Sequence, residues 1–117
     1  MSAARSISRS VEARQATGAR EKRRVARAVV STYYEAELAG LVEYVADAIE
    51  RRRAGDLDAD GVDEVIHRYT KAARELWKFC FLGGSGVHVE RVAAMLELLT
   101  AEGDRPDWWA AAERRRG

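Results

Sequence analysis

Asp60 to Gly84, DGVDEVIHRYTKAARELWKFCFLGG, is the stretch whose reading decides the fold. Val62, Val65, Ile66, Tyr69, Ala73, Leu76, Trp77 and Cys80 recur at steps of three and four. At 3.6 residues per turn they fall within about 120° of one another, the width of a core-facing helical stripe. Both ends are marked. Asp60 is placed to cap the first turn, Asp63 and Glu64 sit where the helix dipole is positive, and Gly83-Gly84 can close the helix in a left-handed turn. The segment therefore reads as one complete amphipathic helix, with Leu76 and Trp77 in the core and Glu64 and His67 turned away from it.

Upstream, Tyr34, Leu38, Leu41, Val42, Val45 and Ile49 share a second stripe, with Glu43, Asp47 and Glu50 opposite. This predicts a helix from Glu21 or Ser31 to Arg53, its last turn carrying Arg51, Arg52 and Arg53 against the negative end of the dipole. Gly55 stops it. The linker AGDLDADG (54–61) is short, so the two helices form an antiparallel hairpin. Downstream, Val89, Val92, Leu96 and Leu99 give a third helix over Val87–Ala101, with Ser85 as its cap and Gly103 as its stop. Asp104 to Pro106 open a short terminal helix bearing Trp108 and Trp109. Neighbouring positions differ by about 100°, so one tryptophan packs on the bundle and the other covers a groove or meets a partner. The class is all-α: a hairpin, a third helix and a short C-terminal helix.

Ahead of the hairpin, residues 1–18 are mostly Ser, Arg and Ala, with too little apolar surface to offset the entropy of ordering. Gly18 marks the boundary between this flexible basic arm and a single helical domain over 19–117. Charge is divided in blocks. Residues 1–30 carry eight basic groups against two acids, residues 31–70 four against ten, and residues 71–117 eight against seven. A basic arm thus precedes an acidic body. Arg20, Lys22, Arg23, Arg24 and Arg27 are the candidate phosphate contacts, without the aromatic platforms or recognition helix that sequence reading requires.

No apolar run approaches the roughly 20 residues needed to span a bilayer. One cysteine, Cys80, excludes an internal disulfide and fits a reducing cytoplasm. Of the 20 basic residues 17 are Arg, which with abundant Ala suggests a bacterial origin.

Three motifs could carry chemistry, and each falls short. Asp56, Asp58, Asp60 and Gly61 match the front of a calcium loop, but its twelfth position is His67 where a bidentate Glu is required. Glu64 and His67 have the ExxH spacing used in ferritin-like di-iron sites. A single such unit needs a second chain, with Glu35 or Glu37 as the added carboxylate, to complete a metal set. Cys80, His88 and Glu90 sketch a nucleophile, base and orienter, yet a core-facing thiol holds its proton. An enzyme is disfavoured and no cofactor is expected.

Tyr33, Tyr44, Phe79, Phe81, Trp108 and Trp109 exceed what a three-helix core accommodates, and aromatic residues are enriched at interface centres. The sequence therefore points to a small interaction or regulatory module, homodimeric through those rings. A dimeric metal-binding protein and non-specific nucleic-acid binding by the arm are the alternatives.

Overall fold

The computed structural model describes the backbone of residues 2–84 and 86–114, with side chains from residue 11 to residue 113 apart from Ser85. Four helices make up the chain: α1 (Ser2–Arg53), α2 (Ala59–Phe81), α3 (Gly86–Ala101) and α4 (Trp108–Arg114). No strand occurs among the described residues. The expected cap at Ser85 and the basic end at 115–117 lie outside them.

α1 is longer than its periodicity predicts. At 1.5 Å per residue its 52 residues span about 78 Å, which sets the molecule's greatest extent of 81 Å. Gly18 does not interrupt it. The residues around this glycine, Ala13, Gln15, Ala16 and Ala19, are good helix formers, and one glycine costs only about 1 kcal/mol. Side chains from Val11 to Gly18 are exposed, and burial begins at Ala19 and Arg23. Residues 11–18 of α1 therefore stand clear of the bundle.

The stops fall where the glycines predict. Gly55 (φ 84°) accepts the left-handed conformation, its N–H donates to Arg52 O, and Asp56 N–H reaches back to Arg51 O at 2.8 Å. Gly103 (φ 73°) repeats the pattern at the end of α3, with Asp104 N–H donating to Leu99 O. These paired bonds satisfy carbonyls that a helix end leaves open. The starts differ. Asp58, not Asp60, caps α2, its Oδ1 accepting Gly61 N–H at 2.7 Å. Asp107 caps α4 by accepting Ala110 N–H, so Pro106 lies ahead of the helix and not in its first turn. In both places a carboxylate just ahead of the helix accepts a first-turn N–H, from extended backbone in the case of Asp58.

Tyr33 packs edge-on against Phe79, while Tyr44 and Arg68 share the ring of Trp109. α2 is therefore antiparallel to α1, with Tyr44 standing level with Arg68. α3 runs beside α1 in the same direction. Gly86 lies so close to Arg23 that a Cβ would meet its side chain, and Arg105, just past α3, reaches Glu37. α4 then crosses onto α2. The core gathers Val30 and Leu41 of α1, Ala72, Leu76 and Cys80 of α2, Val92 and Leu96 of α3, and Ala112 of α4.

One expectation fails here. Trp77 is not a core residue: it is 46% exposed, and Ile66, on the same edge of α2, is 41% exposed. Val42 and Ile49 of the expected α1 stripe are exposed as well, at 44% and 37%. The buried line of α1 runs instead through Val30, Glu37, Leu41 and Ala48. The stripes are rotated because α3 and α4 arrive from one side only.

Candidate interaction surface

The α1–α2 seam has two sides, and they are treated differently. Around α1, Tyr33 and Tyr44 lie to one side of the buried line, and Leu38, Val42, Val45 and Ile49 to the other, at about 100° per residue. Around α2, Arg68 and Phe79 lie to one side of Leu76, and Ile66, Ala73 and Trp77 to the other. The contacts Tyr33–Phe79 and Tyr44–Trp109–Arg68 place the first pair of sides together beneath α4. The second pair must then face outward together.

The closed side is a dense polar and aromatic cluster. Trp108 packs against Phe79 and donates its Nε1–H to Tyr33 Oη at 2.9 Å. Trp109 stacks flat on Tyr44 at 4.1 Å, and the Arg68 guanidinium lies 4.2 Å from its ring. Arg68 also donates from Nε and Nη2 to Trp109 O and pairs with Glu113 at 3.1 Å. Glu37 is only 8% exposed and accepts from Arg105 Nη2 at 2.6 Å. Burial raises the Tyr33 phenol, while the bond and charge of Glu37 raise Arg105 further. A cleft of about 360 Å³ between Glu37, Tyr44, Arg105 and Trp108 remains beside this cluster.

The open side carries Val42, Ile49, Ile66 and Trp77, all exposed, between half-buried Leu38, Val45 and Ala73. Tyr34 and Phe81, in edge contact at 5.1 Å, close one end of the row, and Trp77 leans towards Phe81. No helix covers it among the described residues. A contiguous apolar row of this kind on a small chain marks an interaction surface more often than chance.

The residues singled out from sequence fare unevenly. Tyr33, Phe79, Trp108 and Trp109 occupy each other on the closed side, with Tyr44 stacked at its edge and still 45% exposed, and both tryptophans are packed because α4 wedges one to each end of the cluster. Phe81 alone borders the open row. Glu64 and His67 do come together, on the lip of a groove of about 650 Å³ between α2 and α4. His67 Nδ1 lies 2.8 Å from its own helix's Asp63 O, and no group of three or more metal-ligating side chains occurs among the described residues. Cys80 is fully buried, and that burial, with Glu37 nearby, pushes its thiol up to about 11. It is protonated at neutral pH and no nucleophile. His88 packs its ring over Gly83, where a side chain would collide with it. Arg20, Lys22, Arg24 and Arg27 are exposed along α1, Arg24 paired with Glu21, and Arg23 is half-buried against Gly86.

Sequence reasoning missed Trp77 and Ile66 as surface residues, and missed the Glu37–Arg105 pair. A signal for the first existed. The apolar arc of each hairpin helix, from Tyr33 to Val42 and from Phe79 to Trp77, covers about half its circumference, more than one packed face uses. No helix is long and apolar enough to cross a membrane among the described residues. No protein-family model matches the chain, and no curated protein and no solved structure matches it.

Proposed function

We propose that this protein is a small helical interaction module that works through the open side of the α1–α2 hairpin. The observation that carries the reading is Trp77, half-exposed in a row with Ile66, Val42 and Ile49. Tryptophan is the residue type most enriched at binding hot spots, and a row of large apolar side chains in water is a standing cost that a partner removes. Regulation by such a module operates through occupancy of this face, without catalysis.

The test replaces Trp77 and Ile66 together by Ser and compares the variant with the wild type. A sticky face reveals itself either as fluorescence of an apolar dye or as added mass in sedimentation. The wild type is expected to exceed the variant in one of these, with both chains equally helical. Equality in both measurements would remove the reading.

A second reading rests on the continuity of α1. Arg20, Arg24 and Arg27 fall within about 100° of one another on an unbroken helix, with Arg23 half-buried between them and Arg24 paired with Glu21, a short basic stripe suited to phosphates. Binding of unrelated DNA duplexes should then be equal and fall steeply with salt. A preference for one sequence, or a flat salt dependence, would count against it.

A further inference from the structure

Building on the open-face reading, we propose that its occupant is a second copy of this chain, laid antiparallel across it about a two-fold axis perpendicular to the hairpin. Three properties of the face point to this.

The first is size. The row runs the paired length of α1 and α2, about 20 residues or 30 Å, and two helices side by side are about 20 Å wide. The plan area is about 600 Å². A corrugated helical surface exceeds its plan, so burial approaches the roughly 800 Å² per partner of a stable interface.

The second is shape. Trp77 is the one bulky projection, and it sits at one end of the row. Ile66 lies 11 residues away, about 16 Å along α2 towards the other end. Rotation about the central axis seats each copy's Trp77 at the lower, aliphatic end of the other. Self-complementarity of this kind is what a two-fold interface requires.

The third is charge, which selects the orientation. On the outer rim of α1, Glu35 stands at the Trp77 end and Arg53, which also pairs with Glu50 at 2.6 Å, at the other. On the outer rim of α2 the order is reversed, with Arg74 at the Trp77 end and Asp63 at the other. Both rim pairs are centred at the same height, where Tyr44 stands level with Arg68, so one axis serves both. It brings Glu35 beside the second copy's Arg53 and Arg74 beside the second copy's Asp63. It also brings the other copy's acidic loop at Asp56, Asp58 and Asp60 towards the basic stretch that begins at Arg27, still about 6–10 Å short of it along α1. The parallel alternative would crowd both basic arms at one end, where like charges repel.

The experiment is sedimentation of the full chain over a range of concentrations at low and high salt. The wild type is expected to be a dimer that weakens as salt rises. Glu35→Arg and Arg53→Glu are each expected to weaken dimerisation about fivefold, since each change is felt twice across the axis. Carried together they should restore it, because the two positions face each other. Single variants that weaken and a double variant that does not recover would overturn the antiparallel arrangement. A wild type that stays monomeric, yet binds apolar dye more than the Trp77→Ser/Ile66→Ser chain, would overturn the second copy as occupant and leave the open face standing. A wild type equal to that variant in both mass and dye binding would overturn the face itself.

Discussion

Arg105 reaches down from the segment before α4 to Glu37, Nη2 to Oε2 at 2.6 Å, with the arginine side chain 77% exposed and the glutamate 8%. The asymmetry makes this pair a latch. The carboxylate has given up water and depends on Arg105 for a donor, whereas the arginine keeps most of its hydration. Arg105→Ala should therefore lower the melting temperature more than Glu37→Met, which fills the space and leaves no charge behind. The order of the two melting temperatures checks this. If Glu37→Met were the more damaging, the pair would be a net source of stability in its own right.

The two neighbours Leu76 and Trp77 should behave differently. Leu76 is fully buried, so Leu76→Ala should cost about 2–5 kcal/mol in urea melts. Trp77→Ala should cost about 1 kcal/mol or less at concentrations where the chain is monomeric, since much of the ring already meets water. Equal losses would return Trp77 to the core.

Cys80 makes the fold sensitive to alkali. Burial first and Glu37 second push its thiol up from the ordinary value of 9.0 to about 11. Between these values the unfolded chain gives up its proton and the folded chain keeps it, so stability is whole below pH 9 and falls as pH rises towards 11. The loss is about 2 kcal/mol. Tyr33, also raised by burial, extends the decline above the ordinary phenol value of 10.0. Denaturant melts at stepped pH should show the slope, and Cys80→Ala should flatten its lower part.

Gly40 sits inside α1 with nothing within 4 Å of where a Cβ would stand. Gly40→Ala should stabilise the bundle by about 0.5–1 kcal/mol through lost freedom of the unfolded chain. A lower melting temperature would mean that the neighbouring cleft needs the bare backbone.

Glu64 and His67 are exposed and lack a third ligand among the described residues. His67→Ala, Glu64→Ala and Lys71→Ala should each change stability by no more than about 0.5 kcal/mol. Purified protein should carry zinc and iron at background levels by mass spectrometry. Stoichiometric metal lost on Glu64→Ala would revive a site shared between chains.

The helices, their stops and the antiparallel hairpin were legible in the residues, because periodicity, glycines and short linkers act locally. Gly55, Gly84 and Gly103 all have the left-handed φ that a helix stop requires. Gly18 misled, since propensity at one position yields to the helix formers around it. Cap positions moved by one to three residues for the same local reason, a nearby aspartate whose carboxylate accepts a first-turn N–H.

What lay beyond the sequence was which side of each stripe is covered. Periodicity assigns a residue an angle on its helix; it does not say where the next helix arrives. Leu76 and Trp77 are adjacent in one apolar stripe, and only the approach of α3 and α4 from the Tyr33–Phe79 side separates a core leucine from a surface tryptophan. The Glu37–Arg105 latch is likewise tertiary, joining positions 68 residues apart that share no local pattern. The amino-acid sequence determined an apolar arc wider than one core could use. The packing direction of α3 and α4 decided which half became core and which half stayed exposed.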